Sequence, residues 1–256
     1  MELHTSLIET PHLLNHRLHL NSVISKFPIG PWKTDFAYLT KSTVAWRLVL
    51  MELEHSKKRI FLDSSPHSAF TAEFNSALAQ IDTWRDTWNA QKQLIISQLE
   101  PLLAPAPMRK NSVTPHYCLV YGRDNEFANN DTRKARLASL IQDRNLHVYT
   151  YDTLLRSYRD GRSYRKCILS PISAGYRVKS LDGKPGSLFA YVEPQHLNVS
   201  SDIEEKLVGW GYDIPSWRTG KLLTVNDRLP FDLKQESNWA AAAVKSSLKN
   251  KNKDWS

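Results

Sequence analysis

Two glutamates, Glu52 and Glu54, stand two residues apart at the end of the apolar stretch LVLMELEH, residues 48–55. Side chains alternate between the faces of a strand, so both carboxylates would share a face with Trp46, Leu48 and Leu50. Their Cα atoms would then be about 7 Å apart. Neighbouring carboxylates repel each other, and a bound cation relieves that repulsion. The pair therefore indicates either a metal site or the point where the strand emerges into solvent.

A third carboxylate, Asp35, lies in the preceding stretch KTDFAYLT, residues 33–40. If this stretch pairs with the strand predicted at 42–54, Asp35 lies beside Glu52. Carboxylate oxygens suit Mg²⁺ or Mn²⁺ better than zinc. Such an ion activates a water molecule and neutralises the charge that grows on a phosphodiester. These residues therefore indicate a candidate metal site that cuts nucleic acid, with a strand end that emerges into solvent as the alternative.

The elements that must position these residues follow from the hydrophobic periodicity. Helical spacing of large apolar residues predicts a long helix over residues 68–99, which begins with Phe70 and Phe74 and includes Trp84 and Trp88. The other predicted elements are one or two amphipathic helices over 2–20 interrupted at Pro11, a turn-rich linker at 27–32, strands at 33–40, 42–54, 116–123 and 146–151, a helix over 129–145, and a helix capped by Asp152. This order predicts an α/β fold with a central mixed β-sheet flanked by helices.

Three histidines, His12, His16 and His19, have helical spacing within the first predicted helix. They could hold a transition metal, or they could form a partly exposed helix face. No HExxH motif accompanies them, which favours the exposed face.

The sequence changes in character after residue 165. We predict one domain at 1–165 and a C-terminal α+β extension at 166–256. The extension is expected to contain a hairpin around residues 182–186, a short helix at about 202–209, and a last helix that ends in a basic tail.

The composition limits the class of protein. The 256 residues carry a formal net charge of +8, and the pI is about 9.4, so either a polyanionic partner or a merely basic surface is plausible. No apolar run reaches roughly 18 residues, and the first residues lack a signal-peptide pattern, so a protein without a membrane span is expected. Cys118 and Cys167 are far apart and form no CxxC motif, which predicts reduced, buried thiols in the cytoplasm.

An Asp on one strand, a (D/E)-x-(K/E) triplet on the next, and a helix with Gln80 followed by Trp84 resemble the PD-(D/E)xK nuclease superfamily. More closely, the chain resembles the Shedu nuclease family of bacterial anti-phage defence. The segments that carry this resemblance, in family order over about residues 1–160, are TDFAYL (34–39), LVLMELEHSKKRIF (48–61), ALAQIDTWRDTW (77–88), LVYGRDN (119–125), RKARLASL (133–140) and VYTYDTLL (148–155).

The resemblance implies a restriction-endonuclease-like core and metal-dependent hydrolysis of DNA. Asp35 and Glu52 would bind Mg²⁺ or Mn²⁺, and Gln80 would face the site from the helix. The N-terminal helix of such nucleases often supplies another carboxylate, for which Glu2 and Glu9 are the candidates.

The resemblance also implies partners. The substrate would be DNA, and double-stranded DNA is the expected form. The chain would form a homo-oligomer. A nuclease of this kind endangers its host, so a phage-derived trigger is expected. Residues 166–256 are the candidate sensing region.

Glu54 departs from the family pattern, which usually has Lys at this position. A carboxylate does not stabilise negative charge, but it could bind a second metal ion or act as a general base, so Glu54 stays in the predicted catalytic set. Lys57 or Lys58 could reach back to replace the missing ammonium, or could bind nucleic acid as Arg123 could. The departure leaves open a catalytically silent nuclease fold that serves as a nucleic-acid-binding or oligomeric assembly and sensor module.

Overall fold

A large mixed β-sheet forms the centre of the molecule. The computed structural model describes residues 1–63, 68–161, 164–182 and 189–225. Within these ranges the strands are β1 (Ser22–Ser25), β2 (Pro28–Ile29), β3 (Trp32–Lys33), β4 (Phe36–Lys41), β5 (Ala45–Leu53), β6 (Ser112–Val120), β7 (Leu146–Tyr149), β8 (Cys167–Ile172), β9 (Gly175–Ser180) and β10 (Leu197–Asn198). The α-helices are α1 (Ala72–Leu99), α2 (Asp131–Asp143), α3 (Tyr151–Arg159), α4 (Ser201–Gly209) and α5 (Ile214–Arg218).

Eight strands form this sheet in the order β10–β9–β8–β1–β4–β5–β6–β7, and β2 pairs with β3 in a separate small hairpin. β4 and β5 are antiparallel, whereas β5, β6 and β7 are parallel to one another. The predicted α/β fold with a central mixed sheet flanked by helices is confirmed.

β5 is buried on both faces over most of its length. Trp46, Leu48 and Leu50 are fully buried on the face that α1 covers, and Val49 and Met51 are fully buried on the other face. Burial on both faces explains the nearly continuous apolar run in the sequence. The first carboxylate after that run, at residue 52, therefore lies at the end of a fixed strand.

Helix α1 begins after Thr71, whose hydroxyl oxygen accepts a hydrogen bond from the backbone N–H of Phe74 at 3.1 Å. Trp84 and Trp88 are buried in the core as their spacing predicts. The helix covers one face of the sheet, and its backbone departs from helical angles only at Gln91.

The N-terminal segment packs on the opposite face of the sheet, where Ile8 and Leu18 join the second apolar cluster. The prediction of α-helices over 2–20 is wrong, because the segment forms three single-turn 3₁₀ helices, Thr5–Leu7, Leu14–His16 and His19–Asn21. Residues with positive φ interrupt it, and strand β4 holds it through the hydroxyl of Tyr38 on the Pro11 carbonyl. Tertiary hydrogen bonds thus override the amphipathic pattern.

The predicted histidine face does not form. His19 instead contacts the carbonyl of Leu102 through its Nε2 at 2.7 Å, and the side chain of His16 lies outside the described part. The ring of His12 lies 4.7 Å from those of His116 and His147, measured between centroids. Burial lowers the pKa values of His12, His116 and His147. The pKa of His12 falls to about 4, because the charges of His147, His116 and Arg47 lower it further.

Strand β1 and the β2–β3 hairpin occupy the region predicted to be a linker. The four residues of β1 are all buried, and the strand lies between β4 and β8. A four-residue strand buried on both faces shows no alternation, so the pattern alone does not reveal it.

The sheet continues past residue 165. β8 pairs in parallel with β1 and in antiparallel fashion with β9, with the connecting turn at residues 173–174. This hairpin was not predicted. The turn predicted at 182–186 lies almost entirely outside the described ranges, and residues 189–191 form a turn. Helix α4 confirms the short helix predicted at about 202–209, whereas the predicted last helix and basic tail lie outside the described residues. The domain division at residue 165 stays a prediction.

None of the helices in the described ranges combines the length and the apolar character that crossing a membrane requires.

Candidate active site

Asp35 and Glu52 meet where β4 begins and β5 ends. Phe36 pairs with Met51 in the antiparallel ladder, so Asp35 lies opposite Glu52. The backbone N–H of Asp35 donates to the Met51 carbonyl at 3.1 Å, and Asp35 Oδ2 accepts from the N–H of Leu53 at 2.8 Å. The predicted pairing of the two strands is confirmed, and it places these two carboxylates next to each other.

Gln80 reaches Glu52 from helix α1. Its Nε2 donates to Glu52 Oε1 at 2.7 Å. The neighbouring residues Ala77 and Ile81 are buried against the sheet, so helical periodicity directs Gln80 toward the end of β5. The structure thus brings together Asp35, Glu52 and Gln80.

The second oxygen of Glu52 has no hydrogen-bond partner. Oε2 is buried, and no donor among the described residues binds it. Burial and the nearby charge of Asp35 raise the pKa of Glu52 to about 7; Glu54 adds to the rise, whereas the hydrogen bond from Gln80 opposes it. An ionised Glu52 therefore lacks the positive charge that its surroundings require.

Lys26 is a residue of this site that sequence reasoning missed. Its Nζ lies 2.5 Å from Asp35 Oδ1, and its backbone N–H donates to the Asp35 carbonyl at 3.0 Å. The hydrogen bond with Asp35 raises the pKa of Lys26, and the charges of Glu52 and Glu2 act in the same direction. Its position follows the unpredicted strand β1, so the sequence carried no signal for it other than a lysine before a turn.

Glu54 lies in an ion pair at the border of the site. Lys58 Nζ is 2.7 Å from Glu54 Oε2, and the Tyr151 hydroxyl donates to the Glu54 carbonyl at 2.6 Å. Gly122 allows the loop to pack here, because its φ of +56° favours glycine and a Cβ would meet the Lys58 carbonyl oxygen at 2.5 Å. Lys57 is exposed, and its backbone N–H donates to the ring of His55 at 3.0 Å.

Arg123 binds a carboxylate of the protein. Its Nε lies 2.8 Å from both carboxylate oxygens of Asp152, and the side chain remains about half exposed. The hydrogen bond from Arg123 lowers the pKa of Asp152 to about 2. The prediction that Asp152 caps α3 is wrong, since Thr150 caps the helix and accepts from the N–H of Thr153 at 3.3 Å.

The two N-terminal carboxylates lie on the other face of the sheet. Glu2 accepts hydrogen bonds from the Ser25 hydroxyl and from Lys179. Glu9 follows the buried Ile8 and contributes to the raised pKa of the Cys118 thiol. Neither therefore joins Asp35 and Glu52 in this arrangement.

The donor set fits a hard divalent cation. In the described part of the chain no three His, Cys, Asp or Glu side chains are arranged to hold a metal ion. Mg²⁺, however, is commonly bound by one or two carboxylates and completes its shell with water and phosphate oxygens. Asp35 and the unpartnered oxygen of Glu52 supply such a pair.

Comparison with known proteins gives the family. A family model described as Shedu protein SduA, C-terminal, matches residues 2–155, which is more than half of the chain. A search of curated proteins gave no match. The matched family is associated with defence nuclease activity and suggests a role in anti-phage defence. The match includes every residue of the candidate site, and on this ground the chain belongs to the Shedu family.

Proposed function

We propose that this chain is a nuclease of the PD-(D/E)xK type that depends on Mg²⁺ or Mn²⁺ and hydrolyses phosphodiester bonds of DNA in anti-phage defence. One observation carries the proposal: Glu52 has a buried, unpartnered oxygen beside Asp35. Buried polar atoms are normally hydrogen-bonded, so an orphaned carboxylate oxygen calls for a functional explanation. A bound cation would occupy this oxygen and would offset the burial and the charge of Asp35 that raise the pKa of Glu52 to about 7.

The site residues divide the work. An ion bound there would neutralise charge on the phosphodiester and lower the pKa of a water molecule. Hydrolysis joins a water oxygen to phosphorus, breaks one P–O ester bond, and leaves the departing oxygen with a proton from solvent. Asp35 and Glu52 supply the ligand oxygens, and Gln80 fixes the orientation of Glu52 through its hydrogen bond.

Glu54 acts in this proposal as the general base. Lys58 holds its carboxylate at the border of the site, and its charge acts on Glu52. A carboxylate in this place can accept the proton that the attacking water loses.

The substrate and partners follow from charge and family. The net charge of +8 favours a polyanion. Lys57, Lys58 and Arg123 are the proposed contacts to DNA; Lys57 and Arg123 are exposed, and Lys58 is partly buried. We further propose that the protein is cytoplasmic, forms a homo-oligomer and cuts double-stranded DNA. Residues 166–256 would restrain its nuclease activity until a phage-derived trigger acts.

A second candidate is a nuclease fold that binds nucleic acid without cutting it. Two observations favour it: a glutamate stands at the usual lysine position, and the ammonium of Lys26 lies on Asp35 Oδ1. An ammonium in this place supplies positive charge to Asp35 without a metal ion.

DNA cleavage separates the two candidates. Purified protein is incubated with linear and supercoiled DNA in Mg²⁺, Mn²⁺ or EDTA, beside Asp35→Asn and Glu52→Ala. The exposed Glu205→Gln on α4 serves as a control carboxylate. Cutting that requires metal and both site carboxylates supports the nuclease. Salt-sensitive DNA binding without cutting, unchanged in Asp35→Asn, supports the silent fold instead.

A further inference from the structure

The position that usually provides an ammonium carries a carboxylate in this chain. Lys58 is the nearest replacement along the loop, but its Nζ forms an ion pair with Glu54 Oε2 at 2.7 Å. The other charge that acts on Lys58 is that of Glu73, at the start of α1. The carboxylates of Glu54 and Glu73 therefore balance the positive charge of Lys58, and Asp35 and Glu52 do not.

Lys26 approaches the site from the other side. It follows β1, which neighbours β4 on the edge away from β5. Its ammonium lies on Asp35 Oδ1, while Asp35 Oδ2 binds the Leu53 N–H of β5. Asp35 thus stands between an ammonium on one side and the carboxylate of Glu52 on the other.

The backbone around Lys26 is fixed by the sheet. Its N–H bonds to the Asp35 carbonyl at 3.0 Å, and the N–H of Thr34 bonds to the Phe27 carbonyl at 2.9 Å. The hairpin that follows packs on α1, where Gly30 approaches Thr87 closely. The side chain itself is 62% exposed, so its ammonium is open to a substrate in solvent.

We propose that Lys26 supplies the ammonium that the residue 54 position lacks, and that it contacts a non-bridging oxygen of the scissile phosphate. The inference rests on the proposed nuclease function. With a cation on Asp35, the ammonium leaves Oδ1 and binds the phosphate. It stabilises negative charge there and transfers no proton, so the bonds formed and broken are those of the hydrolysis described above.

This arrangement predicts opposite effects on metal binding and on cutting. Lys26 and a metal ion compete for the same oxygen of Asp35, so removing the ammonium favours the metal ion. The same removal takes away a contact to the charged phosphate and slows cleavage. Loss of a residue with a purely structural role would not combine unchanged or tighter metal binding with slower cleavage.

The test compares Lys26→Met with Lys92→Met, a matched loss of one ammonium at an exposed position of α1. Mn²⁺ affinity is measured without DNA by calorimetric titration, and cleavage is measured with saturating DNA and Mg²⁺. We expect Lys26→Met to bind Mn²⁺ at least as tightly as the wild type and to cut about 100-fold more slowly. Lys92→Met should cut within about threefold of the wild type, because surface substitutions away from a site change little.

The outcomes distinguish the inference from the function on which it rests. A wild type that never cuts overturns both. A wild type that cuts, with Asp35→Asn inactive and Lys26→Met fully active, overturns only the role of Lys26. Lys26→Arg keeps the charge and should restore part of the rate, which also controls for a Lys26→Met protein that folds poorly.

Discussion

Replacement of Glu52 by Gln should stabilise the metal-free protein while it abolishes function. The wild-type carboxylate is buried beside Asp35, and one of its oxygens has no donor in the described part of the chain. Glutamine keeps the oxygen that accepts from Gln80 and replaces the unpartnered oxygen with an amide N–H group, which can donate to Asp35. The variant thus removes a charge that destabilises the folded state.

The magnitude follows from the pKa of Glu52, which rises from 4.5 to about 7 on folding. A carboxyl group with a raised folded-state pKa binds more protons in the native state, so its contribution to stability falls as pH rises between these two values. At 1.36 kcal/mol per unit, the cost is about 3 kcal/mol when the group is fully ionised. It is about 1 kcal/mol near pH 5.5, so the advantage of Glu52→Gln should grow by about 2 kcal/mol between pH 5.5 and 8.

Urea unfolding at several pH values, with and without Mg²⁺, provides the assay. Without metal, the difference in unfolding free energy between Glu52→Gln and wild type should increase with pH. Added Mg²⁺ should stabilise the wild type and leave Glu52→Gln nearly unchanged. Glu205→Gln, which changes an exposed carboxylate, should show neither effect. Parallel pH profiles for Glu52→Gln and wild type would refute the reasoning, because Glu52 would then be an ordinary satisfied carboxylate.

Three further variants test other parts of the structure. His12→Asn tolerates the positive φ of this position and removes the titrating ring. Because His12 is only half-buried and solvent screens part of the effect, the wild-type stability should fall by about 1 kcal/mol as pH drops from about 7.5 to 5, through the unfolded pKa of 6.5 toward the folded value of about 4. Thermal melts of the variant should lack this loss. Gly122→Ala should cost more than about 2 kcal/mol in urea unfolding, because its Cβ would meet the Lys58 carbonyl. Gln80→Leu removes the donor to Glu52 and should weaken Mn²⁺ binding about tenfold near neutral pH in calorimetric titration, whereas an unchanged affinity would contradict the orienting role of Gln80.

Much of the candidate site could be predicted from local pattern. The apolar run that ends at Glu52 predicts a strand, and alternation along the preceding stretch predicts its partner. Antiparallel pairing of these strands, in the register that sets Phe36 opposite Met51, brings Asp35 beside Glu52. Helical periodicity likewise orients Gln80 with the buried face that contains Trp84. These features depend on residues close in sequence, so the sequence was sufficient for them.

The N-terminal region shows where local pattern fails. An amphipathic pattern over residues 2–20 predicts a helix, yet Tyr38 and Thr40 of β4 hold this segment in irregular turns through hydrogen bonds to its carbonyls. Those bonds join residues more than twenty positions apart. A helical preference spread over a short segment is weak and yields to such contacts.

The sequence by itself was enough for the strand that carries Glu52, the helix that carries Gln80 and the family pattern that links them. Only the tertiary structure decided that β1 lies beside β4, that β8 extends the same sheet, and that Lys26 reaches Asp35. Side-chain alternation and helical periodicity are properties of neighbouring residues. The order of strands in a sheet instead depends on hydrogen bonds and burial between distant segments, which no local pattern records.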